Sequence, residues 1–521
     1  MLAASTTCLP TASTFLSREG QMTELLNASV TILTDPTTMA LAVIATLVGI
    51  ILGALPGISS TMTLAVLLPF SFTMEPGNAM VFLLGAFYGS AWGGSISAIL
   101  INIPGTPGSM LTQLDGYPLA KRGQAGVALT YALIASTFGG IVGWFGLVIF
   151  APMLAKAGFA FQSPEFAVLM IFGLSMLAYA SPGSTFLGIM SGIFGLMLGT
   201  VGLDMITNLS RFDFGITRLT AGINIVPFAV GIFGLTEIMR LLEQPIKIDK
   251  AATQIGAIWP PLREVVRTWA TAVRSSLVGL IVGIIPAAGT AVAVSMSYAQ
   301  EKKIYEKKET FGDGNPRGIV AAETGNNAAV GGALVPLLTL GIPGDTMTAV
   351  LVGALLIHGL QPGPALFSEH PDFIATIYVA LGLTIILTFI LSLGLTRVFA
   401  KILSAPPRIL YLGILILCVT GSYAVQNSVF DVILMIVFGA VGYLFVKLGI
   451  PTAPMMFGLV LGPLLEENLR RTLIVYGDWT IFAQRPITAV LLIITFIVLA
   501  LPFFGNVRER LAQAEREAGA D

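Results

Sequence analysis

Several stretches of this chain contain no charged side chain at all, among them residues 37–74, 275–300, 409–430 and 486–507. Each is long enough for the roughly 20 apolar residues that carry a helix across a hydrocarbon core. A water-soluble fold cannot hide so many such runs, because charge is needed to cover its surface. Composition agrees. The 521 residues are 55% hydrophobic and 11% charged, against about 25% charged in a soluble domain, and mean hydropathy is +0.88. The solvent of the outer surface is therefore lipid. A closed β-barrel is the other way to span a bilayer, but barrel strands alternate polar and apolar residues, and these runs are continuous. The expected fold class is an all-α integral membrane protein with about ten to twelve transmembrane helices.

Net charge is −1, so no basic excess points to nucleic acid. Two cysteines, Cys8 and Cys418, make no disulfide framework, and two histidines, His358 and His370, exclude a His-rich metal site. Cys418, inside an apolar run, reads as a packing residue.

The chain carries an internal duplication. Gly49, Gly53 and Pro56 recur as Gly279, Gly283 and Pro286, 230 residues later. Gly93-Gly94-Ser95 precedes Ile103-Pro104-Gly105-Thr106, as Gly331-Gly332-Ala333 precedes Ile342-Pro343-Gly344-Asp345. Near the end of each half stand an acid and an arginine: Glu237 with Arg240, and Glu466-Glu467 with Arg470. The expected organisation is an N-terminal polar segment (1–37), a first membrane repeat (38–243), a polar linker (244–270), a second repeat (271–504) and a charged tail (505–521). The inverted arrangement is the expected one. Paired repeats with glycine and proline interruptions at matching positions point to a secondary transporter, because two pseudo-symmetric halves can exchange shapes. Met22 is the expected physiological start.

Loop charge orients the chain only in part. The linker and the C-terminal tail are basic and read as cytoplasmic. Residues 302–317 are basic too, and one crossing at 275–300 cannot put both of its flanks on the same side. Either that segment re-enters, or Glu301, Glu306 and Glu309 blunt the signal.

Two segments carry the site. In 88–117 a small-residue helical arm runs into Asn102-Ile103-Pro104-Gly105-Thr106-Pro107-Gly108, where prolines and glycines end the helix. In 319–358 a second arm reaches Gly341-Ile342-Pro343-Gly344, and Asp345-Thr346 opens the next helix as an N-cap. Re-entrant or broken-helix hairpins with their tips at membrane depth would expose backbone groups that are tolerated only around a cavity. The residues expected to bind substrate are Asn102, Gly105, Thr106, Asn326, Asn327, Gly344, Asp345 and Thr346, with Ser59 and Ser60 behind Pro56-Gly57. Asn326-Asn327 either bonds a neighbouring helix or contacts ligand. Gly49/Gly53 and Gly279/Gly283 read as helix packing. Neither segment holds a Lys or Arg near its tip, so an anion would rest on helix N-termini, hydroxyls and amides, with a co-bound cation.

These residues resemble a known family. LPGISSTMTLAVLLP (55–69), YGSAWGGSISAILINIPGTPGSMLTQLDGYPLAKRGQAG (88–126) and ETGNNAAVGGALVPLLTLGIPGDTMTAVLVGALLIHGLQPGP (323–364) are similar to the large membrane subunit of tripartite tricarboxylate transporters, the TctA-type permeases. The likeness runs from about residue 24 to 500. It implies a multi-pass permease of the bacterial inner membrane, importing di- or tricarboxylates or related carboxylates. It implies a periplasmic solute-binding protein and a small four-helix membrane subunit as partners, and an Na+ or H+ gradient in place of ATP. No cofactor is expected, and the chain lacks a G-x-x-x-x-G-K-[ST] phosphate loop. Two positions depart from the family pattern: Pro286-Ala287 stands where Pro-Gly is usual, and Asp345 where Ser is common. The alternatives are an intramembrane enzyme, such as an aspartyl protease, against which Asp313 in a charged loop and Asp345 without an apolar-helix partner both argue, and a passive anion channel. The expectation is a carrier and not an enzyme.

Overall fold

In the computed structural model the chain is described over residues 18–181, 184–204, 206–243, 255–402 and 407–500. The expectations for residues 1–17, for 244–254 of the linker and for the tail at 505–521 lie outside the described residues. The first half comprises α1 (Arg18–Thr34), α2 (Pro36–Ala54), α3 (Ser60–Ser71) and α4 (Pro76–Ile101). It continues with α5 (Thr112–Gly158), bent at Gly123 with φ 77°, α6 (Ser163–Ala180) and α7 (Thr185–Gly199). A two-residue antiparallel pair, β1 (Gly202–Leu203) and β2 (Ser210–Arg211), leads to α8 (Ile225–Glu243).

The second half comprises α9 (Leu262–Arg267), α10 (Trp269–Ile284), α11 (Gly289–Tyr305), α12 (Pro316–Leu340) and α13 (Thr346–Ile357). Then come α14 (Pro364–Glu369), α15 (Pro371–Ile402), α16 (Pro407–Gln426), α17 (Val429–Lys447), α18 (Ala453–Tyr476), α19 (Ile481–Gln484) and α20 (Pro486–Ala500).

The protein is an all-α membrane protein. Among the described residues seven helices are long and apolar enough to cross a membrane, and six apolar helices are shorter. The sequence suggests more full crossings because chain breaks at 55–59, 285–288 and 341–345 cut apolar runs that look continuous on paper. Residues 18–34, assigned to a polar segment, form α1, which packs on α15 and turns Met22, Leu26, Val30 and Leu33 outward.

Helix starts follow local chemistry. Asp35 accepts hydrogen bonds from Thr37 N and Thr38 N ahead of Pro36. Asn315 accepts from Arg317 N ahead of Pro316. A side-chain acceptor and a proline at the first helical position satisfy or remove the orphan donors of a helix start. Outward faces of α7 (Phe186, Met190, Ile193, Met197) and α17 (Ile433, Ile436, Val437, Leu444) are apolar and exposed, as a lipid-facing surface requires.

The two arms α4 and α12 form the centre and are buried along almost their whole length. Glycines let their neighbours approach. A Cβ on Gly53 would lie 2.4 Å from Ser90 O where α2 crosses α4, and one on Gly279 would lie 2.3 Å from Gly325 O where α10 crosses α12. The Gly-x-x-x-Gly pairs are thus packing devices. The halves interlock: α5 packs on α12, α15 on α4, α7 on α18 and α8 on α17.

The charge conflict at 275–300 disappears in three dimensions. α10 and α11 form an antiparallel hairpin folded at 285–288. Arg274 Nε donates to Glu301 Oε1 at 2.6 Å and Nη2 to Oε2 at 2.8 Å, while Ser297 Oγ donates to Ser275 O at 3.3 Å. The start of α10 therefore lies beside the end of α11, and both basic flanks sit on one side.

Candidate functional site

Each arm ends in a left-handed residue that turns the chain back along it. Asn102 (φ 58°) caps α4 and Gly341 (φ 71°) caps α12. A few residues later the chain lies against its own arm. Gly105 N donates to Gly94 O at 3.2 Å, and a Cβ on Gly344 would lie 2.6 Å from Ala333 Cα. The Gly-Gly pairs in the arms explain how this fits. A Cβ on Gly93 would meet Ile50 O of α2 at 2.5 Å, and one on Gly94 would meet Thr106 at 2.6 Å. Gly332 faces Leu280 O of α10 in the same way, and Ala333 faces Gly344. One small residue admits the broken helix and the next admits the returning tip.

The tips then cross to the opposite half. The turn Pro107–Ser109 packs on α11, and α13 packs on α3. Thr61 Oγ1 and Thr346 Oγ1 are hydrogen-bonded at 2.7 Å. The breaks before α3 and α11 hold positive φ at Gly57 (84°) and Ala287 (62°).

Where these four interruptions meet there is a cavity of about 470 Å³. It is lined by Ser59, Ser60, Gly105, Thr106, Asn326, Asp345 and Thr346 among others, so seven of the ten residues expected from sequence come together. Three buried polar atoms on its wall have no hydrogen-bond partner: Ser60 Oγ, Asn326 Nδ2 and Asp345 Oδ2. Leaving such groups unpaired is costly, and a ligand would satisfy them. The other oxygen of Asp345 caps α13, accepting from Thr348 N at 2.8 Å and Thr348 Oγ1 at 2.8 Å. A somewhat larger cavity of about 550 Å³, lined by Gln162, Glu467 and Arg471, contains none of the expected residues.

Three expected residues stand off the wall. Asn102 is an exposed left-handed cap. Gly344 is a close-packing position. Asn327 points into the protein, where Nδ2 donates to Glu323 O at 3.0 Å. The two segments themselves bring no Lys or Arg to this cavity, but another element does. α8 brings Arg240 to the cavity wall, where its guanidinium donates to Glu237 at 2.6 Å. Their recurrence as an acid–arginine pair was the available signal, but nothing in the sequence tied α8 to the tips. Glu323, the one acid of its arm, was also legible and went unassigned. Its carboxylate is fully buried and accepts from Ser95 Oγ, Thr112 Oγ1 and Ser136 Oγ.

The cavity has room for a small polar solute at the junction of the two broken-helix pairs. Asp313 is exposed and paired with Arg122 at 2.6 Å, whereas Asp345 is a buried cap.

A cavity of mixed polar and apolar lining lies between two broken-helix hairpins inside an apolar multi-helix shell, the arrangement expected of a membrane transport protein. A model of the Tripartite tricarboxylate transporter TctA family matches residues 39–457, and the chain belongs to that family. It is 37% identical over 476 residues to an uncharacterized 52.8 kDa protein in the TAR-I ttuC′ 3′ region of Agrobacterium vitis, covering 91% of this chain and 95% of the relative. A protein in the TAR-II ttuC′ 3′ region of the same organism is 37% identical over 236 residues, covering 45% of this chain and 98% of the relative.

Proposed function

We propose that this chain is the large permease subunit of a bacterial inner-membrane importer of di- or tricarboxylates or related carboxylates. A periplasmic solute-binding protein delivers the substrate, a small four-helix membrane subunit sits beside the chain, and an Na+ or H+ gradient drives accumulation. Family membership supports the class of system. The observation that carries the assignment of the site is the set of three unpartnered atoms on one cavity wall. Arg240 supplies positive charge for a carboxylate, and Ser60 and Asn326 supply neutral donors. Asp345 presents its free oxygen to the cation bound with the carboxylate, so that its loss weakens binding of the solute. Two interlocked halves with matching breaks favour a carrier over a channel, because each tip rests on the other half and can exchange that contact for its mirror.

The test is uptake of labelled citrate, succinate and benzoate into proteoliposomes holding this chain and its small subunit, with the binding protein outside. Concentrative uptake that depends on the binding protein and an ion gradient supports the reading. Uptake that only equilibrates indicates a channel, and no uptake with all components folded removes the assignment.

A further inference from the structure

Glu323 is the only ionisable side chain of α12 beyond Arg317. It is fully buried, and every partner it has is neutral. Ser95 Oγ on α4 lies 2.6 Å from Oε1, Thr112 Oγ1 at the start of α5 lies 2.5 Å from Oε1, and Ser136 Oγ farther along α5 lies 2.8 Å from Oε2. Asn327 Nδ2, one turn along α12, stands 3.5 Å from Oε2. No Lys, Arg or His among the described residues bonds it. An ionised carboxylate buried without a countercharge costs far more than protonating it.

The elements packed on α12 carry other titratable groups, which are engaged elsewhere or lie at the far ends of their helices. Tyr88 of α4 donates to Ser136 O at 2.8 Å. Asp115 of α5 takes the Tyr298 hydroxyl of α11 at 2.8 Å, and Tyr131 of α5 donates to Glu264 at 3.3 Å. Arg274 of α10 pairs with Glu301 of α11, and Arg317 pairs with Glu309. Lys156 lies at the far end of α5, Glu369 at the far end of α14, and Asp345 caps α13 on the cavity side.

The three oxygen–oxygen contacts, at 2.5–2.8 Å, are hydrogen bonds made directly to the carboxyl. Hydroxyls both donate and accept, so the same three partners satisfy Glu323 with or without its proton. That is what a group charged and discharged in a transport cycle needs.

We propose that Glu323 carries the coupling proton of this transporter. The inference rests on the transport reading above and names its coupling ion. Water on the outer side gives up a proton, an O–H bond forms on Glu323, and water on the inner side receives that proton. No electrons move. Asn326, on the next turn of α12, lines the substrate cavity, so one movement of α12 displaces both sites.

The experiment compares wild type, Glu323→Gln and Glu323→Asp in Na+-free proteoliposomes with labelled citrate, succinate and benzoate as probes. The imposed pH gradient should drive accumulation in the wild type. Glu323→Gln should fall to mere equilibration while counterflow exchange stays within a few-fold of wild type, and Glu323→Asp should restore part of the accumulation. Gradient-driven accumulation by Glu323→Gln at the wild-type level overturns the proposal, as does wild-type accumulation that needs an inward Na+ gradient at equal pH. If Glu323→Gln does not fold, Glu323→Asp decides: slowed accumulation with intact counterflow supports, unchanged accumulation overturns. If the wild type transports no probe at all, the transport reading fails separately. Infrared spectra then test Glu323 alone. A protonated-carboxyl band at neutral pH that Glu323→Gln removes supports a proton site, and identical spectra overturn it.

Discussion

One oxygen of Asp345 caps α13 and the other faces the cavity without a partner. These roles separate by substitution. Asp345→Asn keeps an N-cap acceptor, and Asp345→Ala does not, at a cost of about 1 kcal/mol. Both should lower carboxylate uptake by at least about tenfold, a loss worth 1.4 kcal/mol of binding, while only the alanine variant should also lower the melting temperature in detergent. Ala287 offers a second residue-level test. It holds φ 62° where its counterpart in the first half is Gly57, and left-handed geometry costs a residue with a Cβ about 1–2 kcal/mol. Ala287→Gly should therefore raise stability by up to about 1 kcal/mol, the remainder being offset by glycine's greater freedom in the unfolded chain. Thermal unfolding in detergent reads the change. The cavity hydroxyls were legible because Ser59, Ser60, Thr106 and Thr346 adjoin helix breakers. Asn102 stands off the cavity wall as a left-handed cap, and a left-handed turn and a ligand site both favour asparagine, so sequence does not distinguish them.

At the scale of elements, backbone approach sets what the arms tolerate. Gly279 meets Gly325 O, and Gly53 meets Ser90 O, with no flexible side chain to give way. Gly279→Ala should destabilise the α10–α12 pair by about 1–3 kcal/mol and lower the yield of folded protein on size-exclusion chromatography. The breaks themselves were readable from Gly and Pro. The depth to which each tip folds back was not, since it depends on a glycine in one element matching a carbonyl in another. Nor could loop charge alone reveal the α10–α11 hairpin, which Arg274 and Glu301 close from residues 27 apart. Outside the spanning segments, backbone N–H groups of Ile206 and Thr207, with Arg470 beside them, hold the Asp204 carboxyl well below the usual aspartate range. Its folded-state value lies below the unfolded one. The stabilisation is therefore complete above the ordinary aspartate value of about 4 and is lost as pH falls from there toward the depressed folded value. Asp204→Asn should flatten the acid limb of a melting-temperature profile and leave the neutral limb lower than wild type.

At the scale of the whole molecule, neither half stands alone. α7 and α18, α8 and α17, and α5 and α12 are contacts between halves, and each arm's tip leans on the opposite half's broken helix. The duplication was legible as matched Gly and Pro positions, whereas the interlock was not, because pairing between distant helices leaves no periodic trace. This interlock is what brings α8, and with it Arg240, to a cavity otherwise built from the tips. The most direct test of the account is whether a transported carboxylate occupies that cavity. Thr346→Cys, made with Cys8 and Cys418 replaced by serine, places a thiol on the wall for N-ethylmaleimide. The account predicts that citrate, or whichever probe is taken up, slows labelling in proportion to its occupancy of the carrier, and that Asp345→Asn shifts this protection to about tenfold higher substrate concentration. Labelling that proceeds at the same rate with and without a transported substrate would contradict it.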